Sequence, residues 1–256
     1  MRAALVLALV AAGAFVLLSP RGEEPAQTLE APRLSPAPEP AFSVGRPVPL
    51  GNGRHESRWS PVRRAVAARA RPSASAVAVA RLATRTPERT TNIVAVLARA
   101  SEADGTVWAK VRLPVLPNGT TGWVPRSALG GYGTVTTRLV VDRRRLTATL
   151  IDDGLRVLRV PIGIGSPAAP TPAGEFYVRN RLSRFRSPFY GPVAFGTSAR
   201  SPTLTDWPAG GFVGIHGTNR PDLLPGRVSH GCIRMRNADV RRLARLLPIG
   251  TPVTIR

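Results

Sequence analysis

The chain has 256 residues, room for one large domain or two small ones, with 43% hydrophobic residues, 26 Pro and 24 Gly. That composition argues against a helical bundle and for a strand-and-turn protein. The formal charge is +21, carried by arginine almost alone because Lys110 is the single lysine; it suggests nucleic acid first, but the basic residues are dispersed, no zinc-finger spacing or RNP-like motif is present, and a polyanionic surface such as a cell wall or anionic lipid attracts such a chain equally well, so that the export signal at the start of the chain is what sets nucleic acid aside.

Met1-Arg2 precedes an apolar run over 3–18, followed by Ser19-Pro20-Arg21. A short positive start and an apolar stretch predict an exported chain, with residues 1–21 a signal peptide or a retained membrane anchor that keeps Arg2 inside and associates through 3–20. The run is near the lower limit for spanning a bilayer, and a buried core segment is the bland alternative. Residues 22–60 are rich in Pro, Ala, Glu and Ser, and Pro36, Pro38 and Pro40 alternate with small or acidic residues. Such a segment cannot repay its ordering by burial, so it reads as a linker. His55 lies in it and is given no role.

Residues 61–130 read as a small domain of short strands. Strands are predicted at 77–80, 93–97 and 107–111, and another begins at Gly122-Trp123-Val124-Pro125 after a turn-rich stretch containing Asn118-Gly119. A helical turn or two is expected over 63–71, stopped by Pro72. Trp108 and Trp123 are expected to fill the core. Residues 131–256 form a second unit, with strands at 138–142, 146–151, 155–160, 212–215 and 252–255 and a tight turn at Thr171-Pro172-Ala173-Gly174 leading into one more. Asp153-Gly154 separates two of these strands. The polar, Gly- and Pro-punctuated stretch 181–210 is long enough for a lid or substrate-lining loop, with Phe185, Phe189, Tyr190 and Trp207 as packing groups. Asn237 is expected to cap a helix carrying Val240, Leu243, Leu246 and Leu247, ended by Pro248-Ile249-Gly250. The expected fold class is mainly β with short helices.

The chemistry gathers around the single cysteine, Cys232, in Ser229-His230-Gly231-Cys232-Ile233-Arg234-Met235, with His216-Gly217 upstream. A lone cysteine in an exported chain has no intrachain partner; it is an inert buried thiol, an intermolecular bridge or a catalyst. The thiolate is the attacking species, and an imidazole can take its proton. Two histidines compete for that role. His230 shares a face with Cys232 if the segment is extended; His216 ends a predicted strand across an intervening loop. Gly231 would let backbone N–H groups near Cys232 face an oxyanion, and Arg234 can hold a substrate carboxylate or a backbone carbonyl. His216, His230 and Cys232 are also a possible zinc set, although the usual Cys-x-x-Cys or His-Glu-x-x-His frame is missing.

Two resemblances sharpen this reading. Trp108 to Val111, a turn, Gly122-Trp123-Val124 and then Ala128-Leu129 resemble the SH3-like domains of bacterial cell-wall proteins. Ile215-His216-Gly217-Thr218 together with Ser229-His230-Gly231-Cys232-Ile233-Arg234-Met235 resembles the signature of the L,D-transpeptidase catalytic domain, the YkuD-like family. Thr171-Pro172-Ala173-Gly174-Glu175-Phe176, Asn237, Asp239 and the terminal Gly250-Thr251-Pro252-Val253-Thr254-Ile255 extend the match. The resemblance implies a small SH3-like barrel followed by a β-sandwich-like catalytic domain over 131–256. It implies Cys232 as nucleophile and His216 as general base, oriented by the carbonyl of Gly217. Ser229, His230, Gly231 and Arg234 support the site, and the backbone at Gly231 and Cys232 contributes to an oxyanion hole. No cofactor or metal is implied. The reaction implied is formation of 3→3 cross-links in peptidoglycan through a cysteine thioester, with release of D-alanine, at the outer face of the bacterial membrane or in the wall. An L,D-carboxypeptidase on the same stem peptides and a non-catalytic wall-binding protein are the alternatives.

Overall fold

The computed structural model describes residues 45–50, 56–183, 187–203 and 211–256. The apolar segment 1–21, most of the linker 22–60 with His55, and the aromatic residues Phe185 and Trp207 lie outside the described residues. No helix among the described residues is long and apolar enough to cross a membrane.

The described strands form two sheets. The first comprises β1 (Val48–Pro49), β2 (Ser57–Pro61), β3 (Val66–Arg69), β4 (Ala78–Leu82), β5 (Ile93–Ser101), β6 (Val107–Arg112), β7 (Thr121–Pro125) and β8 (Gly133–Val135). Their order is β4-β3-β7-β6-β5-β2-β8, with β1 added on β5, and every pairing is antiparallel. In β5 the residues Val94, Val96, Ala98 and Ala100 are buried while Arg99 is exposed, the period of two that a one-sided sheet imposes. Trp108 and Trp123 pack with Ala98 and Ala100 in the core, as expected. The β6–β7 hairpin turns at Asn118-Gly119, with Gly119 at φ 90°. Two readings are corrected. The helical turns expected over 63–71 are strand β3, whose Ala68 is fully buried between neighbours. Residues 57–60, read as the end of the linker, lie in β2, pinned between β5 and β8.

The second sheet comprises β9 (Thr137–Asp142), β10 (Thr147–Asp152), β11 (Leu155–Pro161), β12 (Gly163–Gly165), β13 (Gly174–Leu182), β14 (Ala194–Arg200), β15 (Phe212–His216), β16 (Gly226–Ser229), β17 (Ile233–Arg234) and β18 (Pro252–Ile255). The order is β11-β10-β9-β18-β13-β14-β15-β17-β12-β16. The β10–β11 turn places Asp153 at φ 45° and Gly154 at φ 82°, the double left-handed geometry that Asp-Gly tolerates and a tight hairpin needs. Alternation again marks the inner face: Leu139 and Val141 of β9, Ala148 and Leu150 of β10, Leu158 and Val160 of β11 are buried. The helix α1 (Asn237–Leu246) inserts Val240, Leu243 and Ala244 at i, i+3, i+4 spacing into this core and turns Arg241, Arg242 and Arg245 to solvent. Leu247 is buried past its end, whereas Leu246 is half-exposed rather than part of the apolar stripe. The stretch 181–210, read as one loop, contains β14, whose Phe195, Thr197, Ser198 and Ala199 are buried between β13 and β15. Its hydrophobic content is low enough to hide a strand from a pattern reading. The two sheets meet where the buried Tyr177 hydroxyl donates to the Ile93 carbonyl (3.0 Å), and where Trp59 lies against Gly250, a position a Cβ would fill at 2.0 Å.

Candidate active site

The strand order brings the distant histidine and the cysteine together. β15 and β17 pair in parallel, with Ile215 opposite Ile233 and His216 opposite Arg234. His216 therefore ends one strand and Cys232 immediately precedes its neighbour. Gly214 lies two residues before His216, on the same face of β15. Its N–H donates to Cys232 Sγ at 3.3 Å. A Cβ built on Gly214 would stand 3.8 Å from Cys232 Sγ and 3.8 Å from His216 Cδ2, so the thiol and the imidazole share the space above this glycine.

His216 is 3% exposed. Its Nδ1 donates to the Gly217 carbonyl at 2.6 Å. A carbonyl only accepts, so Nδ1 carries the proton and the neutral ring keeps Nε2 as an acceptor. Tyr190 meets the ring edge-on, with centroids 4.8 Å apart and planes at 70°. Burial holds the His216 pKa down, to about 4; the Gly217 hydrogen bond pushes the other way and the Arg234 charge adds to the depression. Burial pushes the Cys232 thiol up, opposed by the Gly214 N–H and by Arg234. At neutral pH the resting pair is thus an uncharged thiol beside an uncharged imidazole.

A polar frame holds the turn before the cysteine. Ser229 is buried; its Oγ donates to the Cys232 carbonyl (2.5 Å) and accepts from the Gly231 N–H (3.1 Å). The Gly231 N–H, one of those expected to face an oxyanion, is therefore directed to Ser229. The Gly231 carbonyl accepts from Thr171 Oγ1 (2.7 Å), which itself accepts from the Gly165 N–H (2.8 Å). Thr171 was legible only as part of the family motif; a buried threonine ahead of a proline has no local signature of such a role. His230 is exposed and is one of the residues that line the cavity. Arg234 lines the same cavity, and its Nε is buried with no hydrogen-bond partner among the described residues. The cavity holds about 300 Å³ and is lined by Cys232, His216 and Arg234 together with Phe189, Tyr190 and Phe212. Tyr190 packs against the His216 ring, whereas Phe189 is largely exposed and is not the packing group expected. No three His, Cys, Asp or Glu side chains among the described residues are placed to hold a metal ion.

Asn237 does not cap α1. It is the first helical residue, Arg236 takes the cap position without a side-chain bond, and the Asn237 Oδ1 accepts from the Thr218 N–H at 3.0 Å. That oxygen would lie 2.2 Å from a Cβ on Gly217 and 2.3 Å from one on Gly191, and the two glycine backbones are themselves in contact. Gly217 is thus required for close packing, and this packing sets both the carbonyl that holds His216 and, through Gly191, the neighbouring Tyr190.

Residues 136–255 match the YkuD family, the L,D-transpeptidase catalytic domain. The YkuD protein of Bacillus licheniformis, which carries an L,D-transpeptidase name, is 36% identical over 122 residues, 48% of this chain and 67% of that protein. The chain belongs to the L,D-transpeptidase catalytic-domain family. Its namesake in Bacillus subtilis strain 168 is 42% identical over 101 residues, 39% of this chain and 54% of that protein, so the chain spans about half the length of this L,D-transpeptidase relative. The catalytic domain of an E. faecium L,D-transpeptidase, solved by NMR, is 30% identical and is covered over 96% of its length by 47% of this chain, with a TM-score of 0.37. Every residue of the candidate site, from Thr171 to Asn237, falls inside the matched L,D-transpeptidase segment.

Proposed function

We propose that the chain is a peptidoglycan L,D-transpeptidase with Cys232 as nucleophile and His216 as general base. The observation that carries this is the placement of both side chains over Gly214, with His216 Nδ1 committed to the Gly217 carbonyl. Nε2 accepts the Sγ proton as sulfur attacks the carbonyl of the diamino acid at position three of a tetrapeptide stem. The C–N bond to the terminal D-alanine breaks, and the imidazolium returns the proton to the leaving amine. A side-chain amine of a second stem then attacks the thioester, its proton passing to His216 and on to the thiolate, and a 3→3 cross-link forms. Water as acceptor makes the same acyl-enzyme an L,D-carboxypeptidase. Arg234, which lines the cavity and carries a guanidinium, is the residue suited to a stem carboxylate. His230 supports the site from the cavity lining.

The wall setting also fits the charge of +21, which favours retention on anionic polymer outside the cell. An SH3-like role for the first sheet would add a second hold on the polymer. The test is incubation of the protein with purified disaccharide-tetrapeptide, read by liquid chromatography and mass spectrometry. Dimers with a 3→3 bond, absent with Cys232→Ala, are expected. Tripeptide alone would make the protein a carboxypeptidase. Unchanged tetrapeptide, with pelleting on sacculi undisturbed by Cys232→Ala, would leave only a wall-binding protein.

A further inference from the structure

The first sheet reaches the wall of the Cys232 cavity at two separate places. Asn118, at the tip of the β6–β7 hairpin, pairs with the main chain of Arg200: its Nδ2 donates to the Arg200 carbonyl at 2.7 Å, and its Oδ1 accepts from the Arg200 N–H at 3.0 Å. Arg200 is the last residue of β14 and lies opposite Phe212. The next residue, Ser201, donates its N–H to the Gly211 carbonyl at 2.8 Å. Ser201, Gly211 and Phe212 line the cavity. A single asparagine amide thus closes a two-point, strand-like contact on the segment that forms the cavity wall.

The second place is Glu88. Its Oε2 accepts from Arg179 Nη2 (3.0 Å) and from Asn180 Nδ2 (3.1 Å). The Arg179 side chain is 1% exposed, and its guanidinium carbon lies 3.7 Å from the centroid of the Phe212 ring. Arg200 approaches the same ring at 4.9 Å. The Arg179 Nε and Nη1 have no hydrogen-bond partner among the described residues, so the Glu88 carboxylate is what compensates this buried charge. Phe212 is a side chain of the cavity wall, and the guanidinium against it is fixed by an acidic residue of the β4–β5 turn of the first sheet.

We infer that Asn118 and Glu88 are positioning residues through which the first sheet sets the substrate-binding wall of the Cys232 cavity. Neither touches the thiol or the imidazole; both act on Arg200, Phe212 and the backbone beside them. The inference rests on the function proposed above for its kinetic consequence, though not for its structural one. Loosening the wall should weaken binding of the stem peptide while leaving the Cys232–His216 pair able to react.

The test uses the full chain and the variants Asn118→Ala, Asn118→Asp, which keeps the acceptor and loses the donor, and Glu88→Gln. With disaccharide-tetrapeptide, KM is expected to rise about tenfold in Asn118→Ala and Glu88→Gln, and less in Asn118→Asp, with kcat within about threefold of wild type. Alkylation of Cys232 by iodoacetamide should stay within about twofold, because the environment of the sulfur is untouched. Amide exchange at Ser201 should quicken while Ile233 keeps its protection. Unchanged KM together with unchanged exchange at Ser201 would overturn the inference, as would equal losses in kcat and in alkylation, which mean a site that has collapsed as a whole. If the wild-type protein leaves tetrapeptide intact, the proposed function falls, and the exchange comparison alone decides the inference: quickening confined to the wall upholds it and no quickening ends it.

Discussion

The Gly214 N–H points at the Cys232 sulfur from 3.3 Å. A strand amide aimed at a thiol stabilises the thiolate that forms on attack, while burial raises the energy of that thiolate at rest. The balance leaves Cys232 above its ordinary pKa and His216 below its own. In the proposed reaction the proton therefore moves during the attack and not before it. Acylation by tetrapeptide should be flat across neutral pH and fall only as His216 gains a proton near pH 4. Iodoacetamide, which senses thiolate directly, should react slowly at pH 7 and keep accelerating beyond the range of a free cysteine. An alkylation rate that levels off below pH 7 would instead mean a resting thiolate–imidazolium pair.

The depressed His216 pKa is also a stability statement. The unfolded imidazole binds its proton near 6.5 and the folded one near 4. Between those values the unfolded chain holds more protons, so stability is full above about pH 6.5 and is lost as pH falls toward 4. A difference of that size is worth roughly 3 kcal/mol. Urea denaturation at pH 7 and pH 4.5 should show a larger loss for the wild-type protein than for His216→Gln, since the carboxylates titrate alike in both. Equal losses would place the wild-type imidazole pKa near its ordinary value.

Gly217→Ala drives a methyl group into Asn237 Oδ1 and the Gly191 backbone. Overpacking of this kind costs about 1–3 kcal/mol, and here it also shifts the carbonyl that holds His216 Nδ1. The variant should lose stability and most of its acylation rate. Asn237→Ala removes the obstructing oxygen but leaves the Thr218 N–H unpaired. The double variant should accordingly be more stable than the sum of the single losses by about 1 kcal/mol. Strict additivity in thermal unfolding would show that the two positions do not meet.

Much of the site was legible because its chemistry is sparse. One cysteine and two nearby histidines leave few arrangements, and the family signature separates His216 from His230. The parallel pairing of β15 with β17 is what brings His216 beside Cys232, and no local pattern announces a two-residue strand such as β17. The same limit hid β12 and β14, whose Gly, Thr and Ser residues carry little hydrophobic signal although they are buried in the sheet. Residues 63–71 read as helical because alanine and arginine favour helices; pairing with β4 and β7 overrides that preference. Asn118 and Glu88 were invisible as partners of the cavity because their targets lie more than eighty residues away in sequence.

Thr171 joins the Gly231 carbonyl to the Gly165 N–H and is itself 1% exposed. Thr171→Val keeps the shape and leaves both backbone groups buried without a partner, at about 1–3 kcal/mol for each. Thr171→Ser keeps the hydroxyl and should stay close to wild type in both stability and turnover. A valine variant as stable as the serine variant, judged by urea midpoint, would show that water replaces the hydroxyl.

Arg234 offers the sharpest reading of substrate chemistry. Its Nε is buried without a hydrogen-bond partner among the described residues, and its charge acts to lower the pKa of both His216 and Cys232. A stem carboxylate in the cavity that Arg234 lines would meet its guanidinium in a charge-assisted bond worth about 1.5–3 kcal/mol. Arg234→Gln should therefore lower kcat/KM for free-acid tetrapeptide by roughly 10- to 100-fold. It should change little for tetrapeptide amidated at the diamino acid and at the terminal D-alanine. Loss of the cation should also raise the His216 pKa and move the acid limb of the rate profile upward. Equal losses on acid and amide substrates, with the acid limb unmoved, would mean that Arg234 serves the fold and not the carboxylate.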